Sequence, residues 1–316
     1  MGCSQSNWGA SAKVTGLHNK VIGLPIWRGV VSLVPLTGGL TNLSFVATDS
    51  TGKFVVRCGE DIPVHGISRE HERAASVAAF EAGLSPEPVH VEPGVMVLRH
   101  IDGETFSEAD LRRDLSRIVA LLKICHRDVG QRLKGNAGFF DVFDVIRRYV
   151  RLLKEGASAF SPDLPRYLER ADALEAALMT MPIVFGHNDL LPGNLIDDGR
   201  RLWLIDWEYA GFGSALFDLA NLAANGGFSE ADDTALLEAY FECPVTDALQ
   251  RSFDAMKAAS ALREATWAMV SHLHLNTPGA DYLAHARDHL ARADAAWRLF
   301  EDRHGKPRDR PTSRAE

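Results

Sequence analysis

The sequence predicts an α+β fold in two lobes: a small β-rich lobe with one helix, then a larger, mainly helical lobe. Three observations point there. A length of 316 residues suggests two units at roughly 150 residues each. The first hundred residues carry short β-branched and aromatic runs separated by turn residues. Beyond about residue 105, long Ala- and Leu-rich stretches take over, interrupted by a single island of apolar strands.

Taken in order, residues 1–11 are small and polar and are expected to be disordered. A short helix is expected over Ala12–Ile22. Val30–Val34, Leu43–Ala47 and Lys53–Cys58 read as strands, and Asp49-Ser50-Thr51-Gly52 supplies hairpin turn chemistry. A helix rich in Ala and Glu should run from Ser68 to Ala82 and stop at Gly83. Val89–Glu92 and Val95–His100 read as two strands around the turn Pro93-Gly94. The small lobe would then cover residues 1–98, a hinge 99–104 and the helical lobe 105–304. Helices are expected at about 107–129, 141–156, 163–180, 214–224, 230–241, 247–276 and 279–301. The strand island holds Ile183–Phe185 and Leu202–Ile205, and 305–316 reads as a polar, solvated tail.

Composition excludes several classes. Hydrophobic residues make up 46% and charged residues 24%, the profile of an ordinary globular chain. Lys plus Arg number 34 against 42 for Asp plus Glu, a net charge of −8, which argues against a nucleic-acid partner. No apolar run reaches 18 residues, so no membrane partner is expected. Cys3, Cys58, Cys125 and Cys243 form no CxxC pair and read as reduced thiols, which suits a cytoplasmic protein. The N-terminus does not read as a secretory signal; Met1-Gly2-Cys3-Ser4-Gln5-Ser6 fits the short myristoylation pattern.

The chemistry concentrates in the island. Gly186-His187-Asn188-Asp189-Leu190-Leu191-Pro192-Gly193-Asn194 precedes Leu204-Ile205-Asp206-Trp207-Glu208. The pattern is His-x-Asp-x4-Asn, with a further Asp twelve residues on, at the end of an apolar strand. Asp-x4-Asn is the spacing of a kinase catalytic loop. Phosphoryl transfer needs a carboxylate at the attacking hydroxyl and oxygen ligands that hold Mg²⁺ against the phosphates. Asp189 is therefore read as the base, with Asn194 and Asp206 as Mg²⁺ ligands. His187 belongs to the same catalytic loop, propping it by hydrogen bonding. Asp218 should support the loop without touching substrate, and Asn188 could lie near the acceptor.

The chain resembles the aminoglycoside phosphotransferase and choline kinase superfamily, over about residues 30–275. Leu36-Thr37-Gly38-Gly39-Leu40-Thr41-Asn42, Gly66-Ile67-Ser68-Arg69-Glu70-His71-Glu72, Ile205–Gly211, Phe217-Asp218-Leu219-Ala220-Asn221 and Leu262-Arg263-Glu264-Ala265-Thr266-Trp267 are similar to bacterial choline/ethanolamine kinases. The resemblance implies a protein-kinase-like fold and ATP as phosphoryl donor. It implies that Arg57 meets the nucleotide phosphates and that Glu72, rather than Glu70, pairs with Arg57. Gly38, Gly39, Thr41 and Asn42 would form the loop over the phosphates.

A cationic alcohol calls for carboxylates and aromatic faces, for which Glu208, Trp207, Tyr209 and Trp267 are the candidates; Glu264 shares a helix face with Trp267. The reaction expected is γ-phosphoryl transfer from ATP to choline or ethanolamine. Thiamine, an aminoglycoside or a sugar are alternative acceptors, and a non-catalytic nucleotide-binding pseudokinase is the alternative class. His285 and His289 are expected on a solvated helix face. Apolar positions of helix 279–301 could pack on their own lobe or on a second subunit, as in a homodimer.

Overall fold

The computed structural model describes residues 16–36, 42–275, 277 and 280–305. Helix α1 covers 16–22. Strands β1 (Ser32–Leu36), β2 (Leu43–Asp49), β3 (Gly52–Cys58), β4 (Pro88–Glu92) and β5 (Val95–Arg99) form an antiparallel sheet in the order β1-β2-β3-β5-β4. The β2–β3 hairpin closes through Asp49, whose carboxylate accepts from the Thr51 amide and hydroxyl, both at 2.7 Å. Period-two alternation then sorts β3. Phe54, Val56 and Cys58 pack with Val21 of α1 and Leu24 just beyond it on one face, which sends Val55 and Arg57 to the other. Helix α2 (Arg69–Glu81) buries Ala74, Ala75, Ala78 and Ala79, and the last three pack into the large core. Small side chains there let the helix approach closely while its first turn keeps Arg69 and Glu72.

After the short β6 (Glu104–Thr105), the chain is mainly helical. The helices are α3 (Glu108–Arg113), α4 (Leu115–Ile124), α5 (Gly130–Arg132), α6 (Val142–Glu155) and α7 (Leu164–Glu175), then α8 (Ala215–Asn225), α9 (Glu230–Phe241), α10 (Asp247–His274) and α11 (Tyr282–His304). The single helix expected over 107–129 is broken. Asp114 leaves helical geometry at φ −102°, ψ 24°, and Cys125–Val129 widens into a π turn before α5. The π turn has a purpose in the packing: it brings His126 against Asp218 and Tyr240. Helix α10 is buried on most of its surface among α6, α7, α8 and α11, so it has no polar stripe. Ala286, Ala293 and Phe300 of α11 are buried in the same core, against α10 of their own chain. No helix among the described residues is long and apolar enough to cross a membrane.

Two small sheets hold the catalytic-loop motif. One is β10 (Leu202–Leu204), β9 (Leu195–Asp197) and β6; the other is β7 (Gly138–Phe139), β11 (Gly211–Ser214) and β8 (Ile183–Gly186). Gly211 and Gly213 of β11 let the backbone of the β7 region lie flat against it. A Cβ at Gly211 would stand 2.6 Å from the Gly138 carbonyl, and one at Gly213 would stand 2.5 Å from that of Phe140. Gly211→Ala should therefore destabilise the protein by about 2 kcal/mol, because backbone, not a flexible side chain, must yield. Thermal unfolding of the variant checks this; an unchanged midpoint would refute the close approach.

Candidate active site

One helix grips the loop that follows β8. Asp218, Asn221 and Asn225 lie at i, i+3 and i+7 on α8, and so share a face. Asp218 is fully buried; its Oδ2 accepts from the His187 amide at 2.8 Å and its Oδ1 from the Asn188 amide at 2.6 Å. His126 Nε2 reaches Oδ2 at 2.8 Å. The Leu190 amide donates to Asn221 at 2.6 Å, and Asn225 donates to the Leu190 carbonyl at 3.2 Å. Asn188 sits in the left-handed region at φ 64°, and its amide donates to the Tyr209 carbonyl at 3.1 Å. It is spent on the loop, not offered to an acceptor.

His187 joins the loop to the following strand. Its Nε2 donates to the Ile205 carbonyl at 2.9 Å, and its Nδ1 accepts from the Asp189 amide at 3.3 Å. Those partners fix the tautomer. Burial holds the ring below the usual imidazole value, so it is neutral. Asn194 donates Nδ2 to the Asp189 carbonyl at 2.8 Å, leaving its Oδ1 as the remaining oxygen. Its carbonyl accepts from the Ile205 amide at 3.0 Å, which brings Asp206 alongside. Asp206 itself holds φ 68°, a conformation a non-glycine residue adopts at a cost of about 1 kcal/mol.

The sheet supplies the opposite wall. Arg57 Nη2 lies 2.6 Å from Asp206, 3.0 Å from Glu72 and 3.8 Å from Glu208. Arg69 Nη1 bridges Glu72 at 2.6 Å and Glu208 at 3.0 Å, and Asn42 donates to Glu208 at 3.2 Å. Glu72, not Glu70, is thus the partner of Arg57. At the far end, Arg263 of α10 pairs with Glu264 and lies 3.5 Å from Asp189, its guanidinium carbon 4.5 Å from the Tyr209 ring centre. Trp267 donates Nε1 to the Tyr209 hydroxyl at 2.8 Å. A cavity of about 670 Å³ joins the two ends, lined by Arg57, Asp189, Asn194, Asp206, Glu208, Tyr209 and Trp267, among others.

Residues 32–251 match the model of a phosphotransferase enzyme family. The chain belongs to that family. It is 32% identical over 215 residues to the protein LicA of Haemophilus influenzae, an alignment that covers 64% of this chain and 61% of that relative. A Mesorhizobium loti crystal structure of a choline/ethanolamine kinase family protein superposes with a TM-score of 0.74 at 29% identity, covering 92% of this chain and 97% of that one. The choline kinase LicA of Streptococcus pneumoniae gives 0.72 at 20% identity, over 90% and 99% of the two chains. These likenesses carry the kinase-like fold through nearly the whole chain.

Within that frame, several expectations change. Trp207 does not line the cavity: it is buried, donates Nε1 to Ser85 at 2.6 Å and packs edge-on to His187 at 4.8 Å. The turn at Asp206 directs it inward. Glu208 lines the cavity, yet Arg57, Arg69 and Asn42, its partners among the described residues, come from the sheet and α2. His285 and His289 do not lie on a solvated face; they line the cavity beside Trp267. Gly38, Gly39 and Thr41 lie outside the described residues. Arg69 and Arg263 were not singled out from the sequence as site residues. An arginine in the Ala- and Leu-rich middle of α10 is the available signal for Arg263, because a buried charge requires partners.

The donor set of Asn194 and Asp206 fits magnesium. Both offer oxygen and line the same cavity, and two protein oxygens suffice where phosphates and water complete the octahedron. Among the described residues no cluster of three His, Cys, Asp or Glu side chains forms a self-sufficient metal cage.

Burial pushes the Asp189 carboxyl up, against the Arg263 charge, and pushes Glu208 up together with the Asp206 charge. Asp218 behaves in the opposite way. Burial works against its ionised form, but His126, His187 and the loop amides outweigh burial and hold it below the ordinary carboxylate value. A depressed folded value contributes stability above the unfolded value and loses it as pH falls through the folded one. Asp218→Asn should therefore cost roughly 3 kcal/mol at neutral pH. The gap to the unsubstituted protein should narrow in acid. Denaturant unfolding from pH 7 to pH 3 measures both; a gap that widened in acid would contradict the assignment.

Proposed function

We propose that this phosphotransferase is an ATP-dependent small-molecule kinase whose acceptor is the hydroxyl of a small amino alcohol, choline or ethanolamine. One observation carries the reading: Asp189, Asn194 and Asp206 line a single cavity, with Arg57 across from them. The resemblance to choline and ethanolamine kinases supports the acceptor class.

Asp189 is the base that takes or orients the acceptor's hydroxyl proton. Arg263 keeps a positive charge 3.5 Å from it, which favours the ionised carboxylate despite burial. Arg57 binds nucleotide phosphate oxygens, and Glu72 holds the guanidinium in place. Asn194 and Asp206 are the magnesium ligands; the bound ion supplies positive charge to the phosphates. His187 is a positioning residue, setting Asp189 relative to Asp206 through its two bonds. Tyr209 and Trp267 form the acceptor end, the small sheet covers the nucleotide, and the segment between β5 and β6 is the hinge.

Asp189→Asn should lower kcat about a thousandfold while ATP affinity persists. Turnover near the unsubstituted rate would sink the assignment of the base. Asp206→Ala should reduce activity and steepen the magnesium requirement together, read as ADP release against magnesium concentration. A panel of choline, ethanolamine, thiamine, an aminoglycoside and a sugar decides the acceptor class. ADP release with thiamine or the sugar alone would overturn the amino-alcohol reading, and no release with any acceptor would favour a pseudokinase.

A further inference from the structure

Two side chains at the acceptor end have no assigned task. His285 and His289, one turn apart on α11, line the cavity beside Glu264 and Trp267. Their ring centres are 4.2 Å apart, and His285 meets Trp267 edge-on at 5.9 Å. No hydrogen bond to either ring is formed among the described residues. Burial holds His289 below the ordinary imidazole value, with the Glu264 charge acting the other way. A neutral ring offers one nitrogen as an acceptor. A polar group that lines a ligand cavity and has no protein partner is placed to bond the ligand.

The aromatic faces favour the same conclusion. A quaternary ammonium, with no N–H, is recognised by open aromatic faces. Here Arg263 already occupies one face of Tyr209 at 4.5 Å. His65 stacks on one face of Trp267, with ring centres 5.2 Å apart and planes 30° apart. The protein thus occupies one face of each ring, and hydrogen-bond acceptors stand beside them: the Glu264 carboxylate and the two imidazoles.

We propose that His285 and His289 select the acceptor, taking N–H bonds from a primary or secondary ammonium alcohol and discriminating against a quaternary one. The inference rests on the amino-alcohol kinase reading above. A site built to hydrogen-bond its substrate rejects an analogue without the donor more sharply than an apolar pocket discriminates by size.

The test uses the full chain with saturating MgATP and ADP release as the readout. The acceptors are ethanolamine, N-methylethanolamine, N,N-dimethylethanolamine and choline. kcat/KM should fall along that series, with choline about tenfold or more below ethanolamine, chiefly through KM. His285→Leu and His289→Leu should each raise KM for ethanolamine about fivefold and leave KM for choline within about twofold. His289→Gln, which keeps an acceptor atom, should retain most of the preference. Choline used as well as ethanolamine would overturn the inference and leave the kinase reading intact. Equal losses for both acceptors in the leucine variants, at unchanged ATP affinity, would also overturn it. If none of the four is phosphorylated, the kinase reading has failed and the inference falls with it.

Discussion

The buried carboxylate of Asp218 holds the rest of the site in place. A carboxylate without solvent is costly unless its oxygens are bonded, and here the partners are the amides of the catalytic loop and His126. The same bonds that keep Asp218 ionised fix the backbone of His187 and Asn188, and so set Asp189 one residue on. The π turn before α5 and the left-handed backbone at Asn188 follow from this: each lets a group reach the carboxylate. Loop, helix α8 and the π turn are one polar assembly inside an apolar core.

The loop is then coupled to the segment that carries Asp206 by short links. His187 bonds the Ile205 carbonyl, and Asn194 bonds both the Asp189 carbonyl and the Ile205 amide. Asp189 and Asp206 are seventeen residues apart in the chain but are connected through two side chains. That coupling lets backbone strain at Asp206 persist, because several neighbours determine its position at once. It also explains why His187 is neutral: a charged ring could not accept from the Asp189 amide.

Much of this was legible in the sequence. The β-branched alternation of β2, β3 and β5 was clear, as were the helix limits at α2, α6 and α9, where the expected boundaries fall within a residue or two. The Asp189, Asn194 and Asp206 spacing placed the loop correctly on one cavity. Strands β6, β7, β9 and β11 were missed because two to four residues carry no period; their partners define them. Trp207 was misplaced because adjacency to Asp206 says nothing of direction, and a positive φ at Asp206 reverses the chain there. The histidines of α11 read as solvated because no Glu follows the first and Arg287 lies between them. Packing against α10 turns that part of the helix over the cavity instead. Arg263 reads in the sequence only as a charge beside Glu264, since its contacts with Asp189 and Tyr209 come from other segments.

The network on the sheet side follows a different economy from the Asp218 site. Arg57, Arg69, Glu72, Glu208 and Asp206 are five charges, two positive and three negative, and most are deeply buried. An isolated buried pair seldom repays its desolvation. Here each guanidinium contacts more than one carboxylate, and Asn42 adds a neutral donor at Glu208. Arg69 and Glu72, three apart on α2, both belong to the network, so the helix is held at two points rather than one. Glu208 comes from the segment that carries Asp206, and its partners come from the sheet and α2. The placement of Arg57 against Asp206 therefore does not depend on a single ion pair: when one carboxylate is lost, each guanidinium keeps another.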